Sequence, residues 1–167
     1  VRGATHRDTS SYAILNYMRD HDQREFTMIW FHEQIDETKR LVDVGQGDAV
    51  LIEAPDDKRV LIDAGTSWYQ ALQVERILGL LDEAVQPEHL LLTSRRYPFS
   101  GAAAHFVERW PSLRVHVGEA GVAALETGDF FSTWANRYDS DMPAVRAEPV
   151  ADMDMIALGD GGVQAIA

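Results

Sequence analysis

The stretch that most constrains the fold of this chain covers residues 89–93, which read HLLLT. A strand that is apolar between its ends is typical of one covered on both faces. Sheets of that kind consist mainly of parallel strands joined by helices. The sequence therefore predicts a layered α/β domain and not a plain β-sandwich.

Short runs rich in β-branched and aromatic residues precede this stretch, separated by polar turns. They predict an antiparallel meander with a hairpin turn at residues 56–58. Apolar residues at helical spacing predict one helix before the meander and one after it. The predicted strands cover residues 27–32, 40–44, 49–54 and 59–63, and the predicted helices cover 10–19 and 69–81.

The remainder of the chain alternates again between the two patterns. We predict helices over 102–109 and 120–125, and strands over 114–117, 145–148, 155–158 and 163–166. Phe130, Trp134 and Tyr138 are spaced four apart, which predicts a helix whose aromatic face packs in the core. We predict two parts, a helical segment over 1–25 and one domain over 26–167.

Composition narrows the classes of function that are expected of this chain. The formal net charge of −12 disfavours generic nucleic-acid binding, because an acidic surface repels a phosphate backbone. The 167 residues include no cysteine, which removes thiolate metal ligands and cysteine nucleophiles. No apolar run approaches the length of a membrane span, so a soluble, cytoplasmic protein is expected. Arg95 and Arg96 are the only adjacent arginines in the chain.

Two strings carry the most specific signal, LVDVGQGDAVLI at 41–52 and RVLIDAG at 59–65. They resemble the opening of the metallo-β-lactamase fold, in particular the soluble domain of ComEC-type competence proteins. The resemblance implies an αββα layered sandwich, here truncated, with an incomplete second half. The motif residues are Asp43, Gly45, Gln46, Gly47, Asp48, Asp63 and Gly65.

The three aspartates of these strings stand at strand ends, where a carboxylate can accept hydrogen bonds from loop N–H groups or face a site. Capping of loops is the commoner use. The resemblance implies that Asp63 braces the metal-binding loop of the family.

In active relatives the strand matching 89–93 runs into T-H-x-H-x-D-H-x-G-G, whose side chains hold one or two zinc ions. Here Thr93 and Gly101 match the threonine and the first glycine of this motif, but Ser94 and Arg96 replace the first two histidines. Pro98 replaces the aspartate and Phe99 the last histidine. The resemblance therefore implies a degenerate loop without a metal or other cofactor, comprising Thr93, Ser94, Arg95, Arg96, Tyr97, Pro98, Phe99 and Gly101.

Two hypotheses for the function follow. The first is a catalytically inactive, metal-free domain that acts as a binding, scaffold or assembly module. Its partner would be another protein chain or a second copy, and Arg95 and Arg96 could bind a small anion bidentately. The second is a metal-dependent hydrolase of phosphodiesters or nucleic acid that uses non-standard ligands.

The second hypothesis has few groups available to it, namely Asp43, Asp48, Asp63 and His116. Carboxylates could hold Mg²⁺ or Mn²⁺. However, neither His105 nor His116 has a second histidine at ligand spacing in the sequence. An ordinary surface or hydrogen-bonded histidine is therefore the favoured interpretation of both.

Overall fold

The computed structural model describes residues 28–31, 38–41, 49–53, 58–69, 86–158 and 161–166. Within these ranges the strands are β1 (Met28–Phe31), β2 (Thr38–Leu41), β3 (Val50–Glu53), β4 (Arg59–Ile62), β5 (His89–Leu92), β6 (Arg114–Gly118), β7 (Glu148–Val150), β8 (Met155–Leu158) and β9 (Gly161–Ile166). The helices are α1 (Tyr97–Ser100), α2 (Ala103–Arg109) and α3 (Glu119–Thr127), and 3-10 turns cover Ser67–Tyr69 and Ala135–Arg137.

The strands form two sheets. Six strands pair in the order β2-β3-β4-β5-β6-β7, antiparallel up to β4 and parallel from β4 to β7. The other sheet has the order β1-β9-β8 and is antiparallel. The predicted meander is therefore confirmed for β2, β3 and β4 but wrong for β1, which pairs with β9. Strands next to each other in sequence usually pair, and a partner this distant leaves no local signal.

Alternation along β5 places its residues in two hydrophobic cores. Leu90 and Leu92 pack with Phe106 and Trp110 on the helix-bearing face of the large sheet. Leu91 lies in a second cluster with Val163 of β9, between the two sheets. The prediction that β5 is covered on both faces is confirmed, as is the layered α/β fold. Within the described residues, the small sheet covers one face of the large sheet and the helices cover its other face.

The helix predicted around Phe130 and Trp134 is wrong. Gly128, at φ 61°, ends α3 in the left-handed conformation. The next residue, Asp129, accepts the N–H groups of Phe131 and Ser132 with its side-chain oxygen, at 2.9 Å each, which is a turn and not a helix. Trp134 then adopts φ 62°, so the spacing of four does not continue on one face.

Other predictions differ in position or lie outside the described ranges. The strand predicted over 145–148 is β7, at Glu148–Val150, where Pro149 is tolerated because β7 is an edge strand. β2 begins two residues before its predicted start. The helix over 10–19, the helix beyond residue 69, the domain boundary at 25/26 and Asp43, Gly45, Gln46, Gly47 and Asp48 all lie outside the described residues.

None of the helices in the described ranges combines the length and the apolar character needed to cross a bilayer.

Candidate functional site

The site loop, residues 93–101, follows the carboxyl end of the parallel strand β5. Open α/β sheets bind ligands at the carboxyl ends of their strands, because the connecting loops gather there. The fold therefore places the predicted degenerate loop where a ligand site is expected.

Asp63 fastens the start of this loop. Its carboxylate, only 1% exposed, accepts the Thr93 N–H and the Thr93 hydroxyl, each at 2.7 Å. Both of these donors belong to one residue, so the carboxylate fixes its backbone and its side chain together. Asp63 adopts φ 59°, a conformation that aspartate tolerates better than most residues.

Backbone hydrogen bonds fasten the rest of the loop. The Ala64 N–H donates to the Phe99 carbonyl at 2.7 Å, and the Ala102 N–H donates to the Gly65 carbonyl at 3.2 Å. Gly65, at φ 66°, turns the chain between these two contacts. The structure thus brings two of the sequence-predicted motif residues, Asp63 and Gly65, against the site loop.

Within the loop, residues 97–100 form the helical turn α1, which the sequence did not predict. Pro98 stands in its first turn, where a missing N–H is harmless. The Ser100 hydroxyl donates to the Arg95 carbonyl at 2.8 Å and to the Arg96 carbonyl at 3.0 Å. The Arg96 N–H donates to the Ser94 hydroxyl oxygen at 3.2 Å.

Tyr97 anchors this turn in the core. Its side chain is fully buried, and its hydroxyl lies 2.6 Å from the Ser67 hydroxyl and 2.5 Å from the Ser140 hydroxyl. Its backbone N–H donates to the Thr133 carbonyl at 2.7 Å. Tyr97 is therefore a structural anchor of the site loop, and its hydroxyl and backbone N–H groups are hydrogen-bonded.

The two arginines of the loop differ in environment. Arg95 donates through Nε to the Ser132 carbonyl at 3.2 Å. The guanidinium carbon of Arg96 lies 3.7 Å from the centroid of the Trp134 ring, and that of Arg137 lies 4.1 Å from the same centroid. We call Arg96, Trp134 and Arg137 the arginine–tryptophan stack. Burial, and then the charge of Arg137, lower the pKa of Arg96 below its usual value.

Arg137 was not predicted as part of the site, since it stands 41 residues from Arg96. Its contact with Trp134 depends on the left-handed backbone of that residue, which no sequence pattern marked. Two cations on one aromatic ring repel each other, and each is stabilised by the face of the ring. Their guanidinium carbons lie within about 8 Å of each other.

A second polar cluster lies towards the amino ends of the parallel strands. His89, Arg114 and Glu148 are the first residues of β5, β6 and β7, and His116 is the middle residue of β6. His89 Nδ1 and His116 Nε2 are 2.9 Å apart, and both side chains are buried. His116 Nδ1 lies 3.9 Å from a carboxylate oxygen of Glu148, and Arg114 holds that carboxylate with two hydrogen bonds of 2.9 and 2.5 Å. We call His89 and His116 the histidine pair.

The sequence alone does not indicate the histidine pair, because 27 positions separate the two histidines along the chain. The signal that could have found it is the alternation in β5 and β6. In the parallel register Leu91 stands opposite His116 and His89 stands opposite Arg114, so both histidines fall on the face that meets the second sheet.

Across the described ranges, no group of three or more His, Asp or Glu side chains is arranged to hold a metal ion. Asp63 and His116, which the hydrolase hypothesis would combine, have different partners, namely Thr93 and His89.

Two facing sheets, with helices on the outer face of the larger one and a braced loop at the end of its central strand, define a layered α/β domain of the metallo-β-lactamase type. The model of the metallo-beta-lactamase superfamily matches residues 42–166. The chain belongs to this superfamily.

Solved structures agree with the fold. BJP-1, a subclass B3 metallo-beta-lactamase of Bradyrhizobium japonicum, is 18% identical, with a TM-score of 0.67 over 89% of this chain and 55% of its own. SMB-1 bound to 2-mercaptoethanesulfonate is 23% identical, with a TM-score of 0.65 over 77% and 50%. A Cronobacter sakazakii metallo-beta-lactamase with the HARLDQ motif is 19% identical, with a TM-score of 0.59 over 71% and 45%. The chain thus spans about half the length of these structures. No curated protein matches it.

Proposed function

We propose that this domain is a non-catalytic member of the superfamily that binds a small anion at the site loop and serves as a binding or assembly module. One observation carries the proposal. The four positions at which active relatives are expected to hold zinc are Ser94, Arg96, Pro98 and Phe99.

These four residues do not fit a zinc ion. Phe99 and Pro98 offer no side-chain donor, and Arg96 carries a permanent positive charge where a dication would sit. The Ser94 hydroxyl accepts the Arg96 N–H, which makes it part of the turn. The loop is a braced structural element built from its own hydrogen bonds, and we derive no reaction step through a metal at this place.

The ComEC-type branch is also part of the proposal. It is supported by the strings at 41–52 and 59–65, of which the structure describes β3, β4 and the braced residues Asp63 and Gly65. A second protein chain or a second copy as partner remains a prediction.

The metal-free loop can be tested by metal analysis. We expect the His116→Gln variant, in which the histidine pair is broken so that the site loop is tested alone, to retain less than about a tenth of an ion per chain. The protein is purified without a tag, offered zinc, manganese and magnesium and then passed over a chelating resin. Plasma mass spectrometry measures this directly. About one or two ions per chain, the content of a catalytic centre of this type, would contradict the proposal and lead to a phosphodiesterase assay.

Anion binding is supported by the arginine–tryptophan stack. Arg96 and Arg137 lie 3.7 and 4.1 Å from the Trp134 centroid, too close to share one face, so the ring stands between them. An anion at the edge of this ring would relieve the repulsion of the two guanidinium groups and accept charge-assisted hydrogen bonds from the edges of both. Such bonds contribute about 1.5–3 kcal/mol each. Arg95, the other arginine of the predicted anion site, donates through Nε to the Ser132 carbonyl.

We expect inorganic phosphate to bind the wild-type chain, and the double variant Arg96→Ala, Arg137→Ala to bind it at least about tenfold more weakly. Isothermal titration calorimetry at low salt measures both affinities. Arg109→Ala, which removes an exposed arginine at the end of α2, is the matched control and should leave phosphate affinity unchanged. Equal affinity in the wild type and the double variant would leave no role for the stack.

A further inference from the structure

We infer that His89 and His116 form a binding site for one borderline transition-metal cation, such as Zn²⁺ or Cu²⁺, towards the amino ends of the parallel strands. This site is separate from the position that the superfamily uses, since His89 is the first residue of β5, whereas the site loop follows the last residue of that strand. His116 is the middle residue of β6.

Convergence of two ring nitrogens is the first argument. His89 Nδ1 and His116 Nε2 share a hydrogen bond of 2.9 Å, in which one ring donates its N–H and the other accepts. Two imidazoles that share a tetrahedral zinc at about 2.0–2.1 Å have their nitrogens about 3.3 Å apart. The ion would therefore replace the shared proton, with the nitrogens separating by a few tenths of an ångström and both rings tilting towards it.

The surrounding groups suit a cation. The Nδ1 atom of His116 lies 3.9 Å from a carboxylate oxygen of Glu148, which is too far for a hydrogen bond but places a negative charge near the ring. Arg114 lies beside this site, but its charge is balanced by the two hydrogen bonds to Glu148. Asp154 lines the same cavity, so the site is not cationic.

Room for the remaining ligands is present. A cavity of about 300 Å³ opens beside the pair between the two sheets, lined among others by His89, His116 and Met155. No third His, Asp or Glu completes a cluster among the described residues, so water in this cavity would fill the other positions.

The test is zinc titration of the full chain by isothermal titration calorimetry in buffer stripped of metal. We expect the wild type to bind one zinc ion that His116→Gln loses or binds at least about tenfold more weakly. His105→Gln is the matched control, because His105 lies on α2 near Glu108, and zinc binding should not change. Zinc held by other histidines would persist in His116→Gln, so the difference between the two proteins is the signal.

A second measurement does not depend on the folding of a variant. The wild type loaded with one Cu²⁺ should show electron paramagnetic resonance couplings to two imidazole nitrogens. A spectrum without nitrogen coupling, or identical zinc titrations for the wild type and a folded His116→Gln, would overturn the inference. The outcome is independent of the proposed function, since removing the histidine pair leaves the site loop and its phosphate affinity intact.

Discussion

Replacing Asp63 with alanine is expected to lower the free energy of unfolding by about 3–5 kcal/mol. The carboxylate is buried and accepts both the N–H and the hydroxyl of Thr93 at 2.7 Å. A hydrogen bond to a charged group contributes about 1.5–3 kcal/mol, and removing the acceptor leaves two buried donors unpaired. Alanine also tolerates φ 59° less well than aspartate.

Urea unfolding followed by circular dichroism measures this loss. Asp63→Asn keeps the size of the side chain and one carbonyl acceptor, so we expect it to cost about half as much. Asp141→Ala removes an exposed carboxylate and should change stability by no more than about 0.5 kcal/mol. A loss below about 1 kcal/mol for Asp63→Ala would contradict the bracing of the site loop by this residue.

Replacing Trp110 with alanine should cost a similar amount, about 3–5 kcal/mol, because the site loop rests on the core that this residue fills. Trp110 is 1% exposed, and its ring meets the Phe106 ring edge-on at a centroid distance of 5.7 Å. Its removal leaves a cavity between α2 and the large sheet that neighbours fill only in part.

The matched control is Trp68→Ala. Trp68 is 49% exposed, and its ring meets those of Tyr97 and Tyr138 edge-on, at centroid distances of 6.2 and 6.0 Å. We expect it to cost about 1 kcal/mol, with both variants measured by the same urea titration. Equal losses in the two variants would mean that Trp110 does not carry the core of the helix-bearing face.

Prediction from the sequence succeeded where the local residue pattern agrees with the environment of those residues in the folded domain. The strands β3, β4, β5 and β6 were predicted within a residue or so of their bounds. Apolar residues of β3, β4 and β5 meet a core on both sides, and those of β6 meet a core on one side. The bracing aspartate was also found, since a carboxylate at a strand end is a common loop cap.

Where the sequence failed, the decisive contact was long-range or depended on one backbone angle. The aromatic spacing at 130–138 suited a helix, but the side chain of Asp129 and the left-handed Trp134 redirected the chain. The same Trp134 conformation placed Arg137 in the site. His89 met His116 through the register of two parallel strands, which the sequence fixes only once the strands are known to be neighbours.

The two sheets differ in how they can assemble during synthesis. The six strands of the large sheet pair in chain order, so each can add to a strand that has already emerged. The small sheet has β9 at its centre. Met28 of β1 pairs with Ile166 of β9, which is synthesised about 140 residues later. Until then the apolar face carried by Ile52, Val60 and Leu91 has no cover from β9. The nascent domain is thus expected to pass through a half-covered intermediate prone to aggregation, and a chaperone would act on that face.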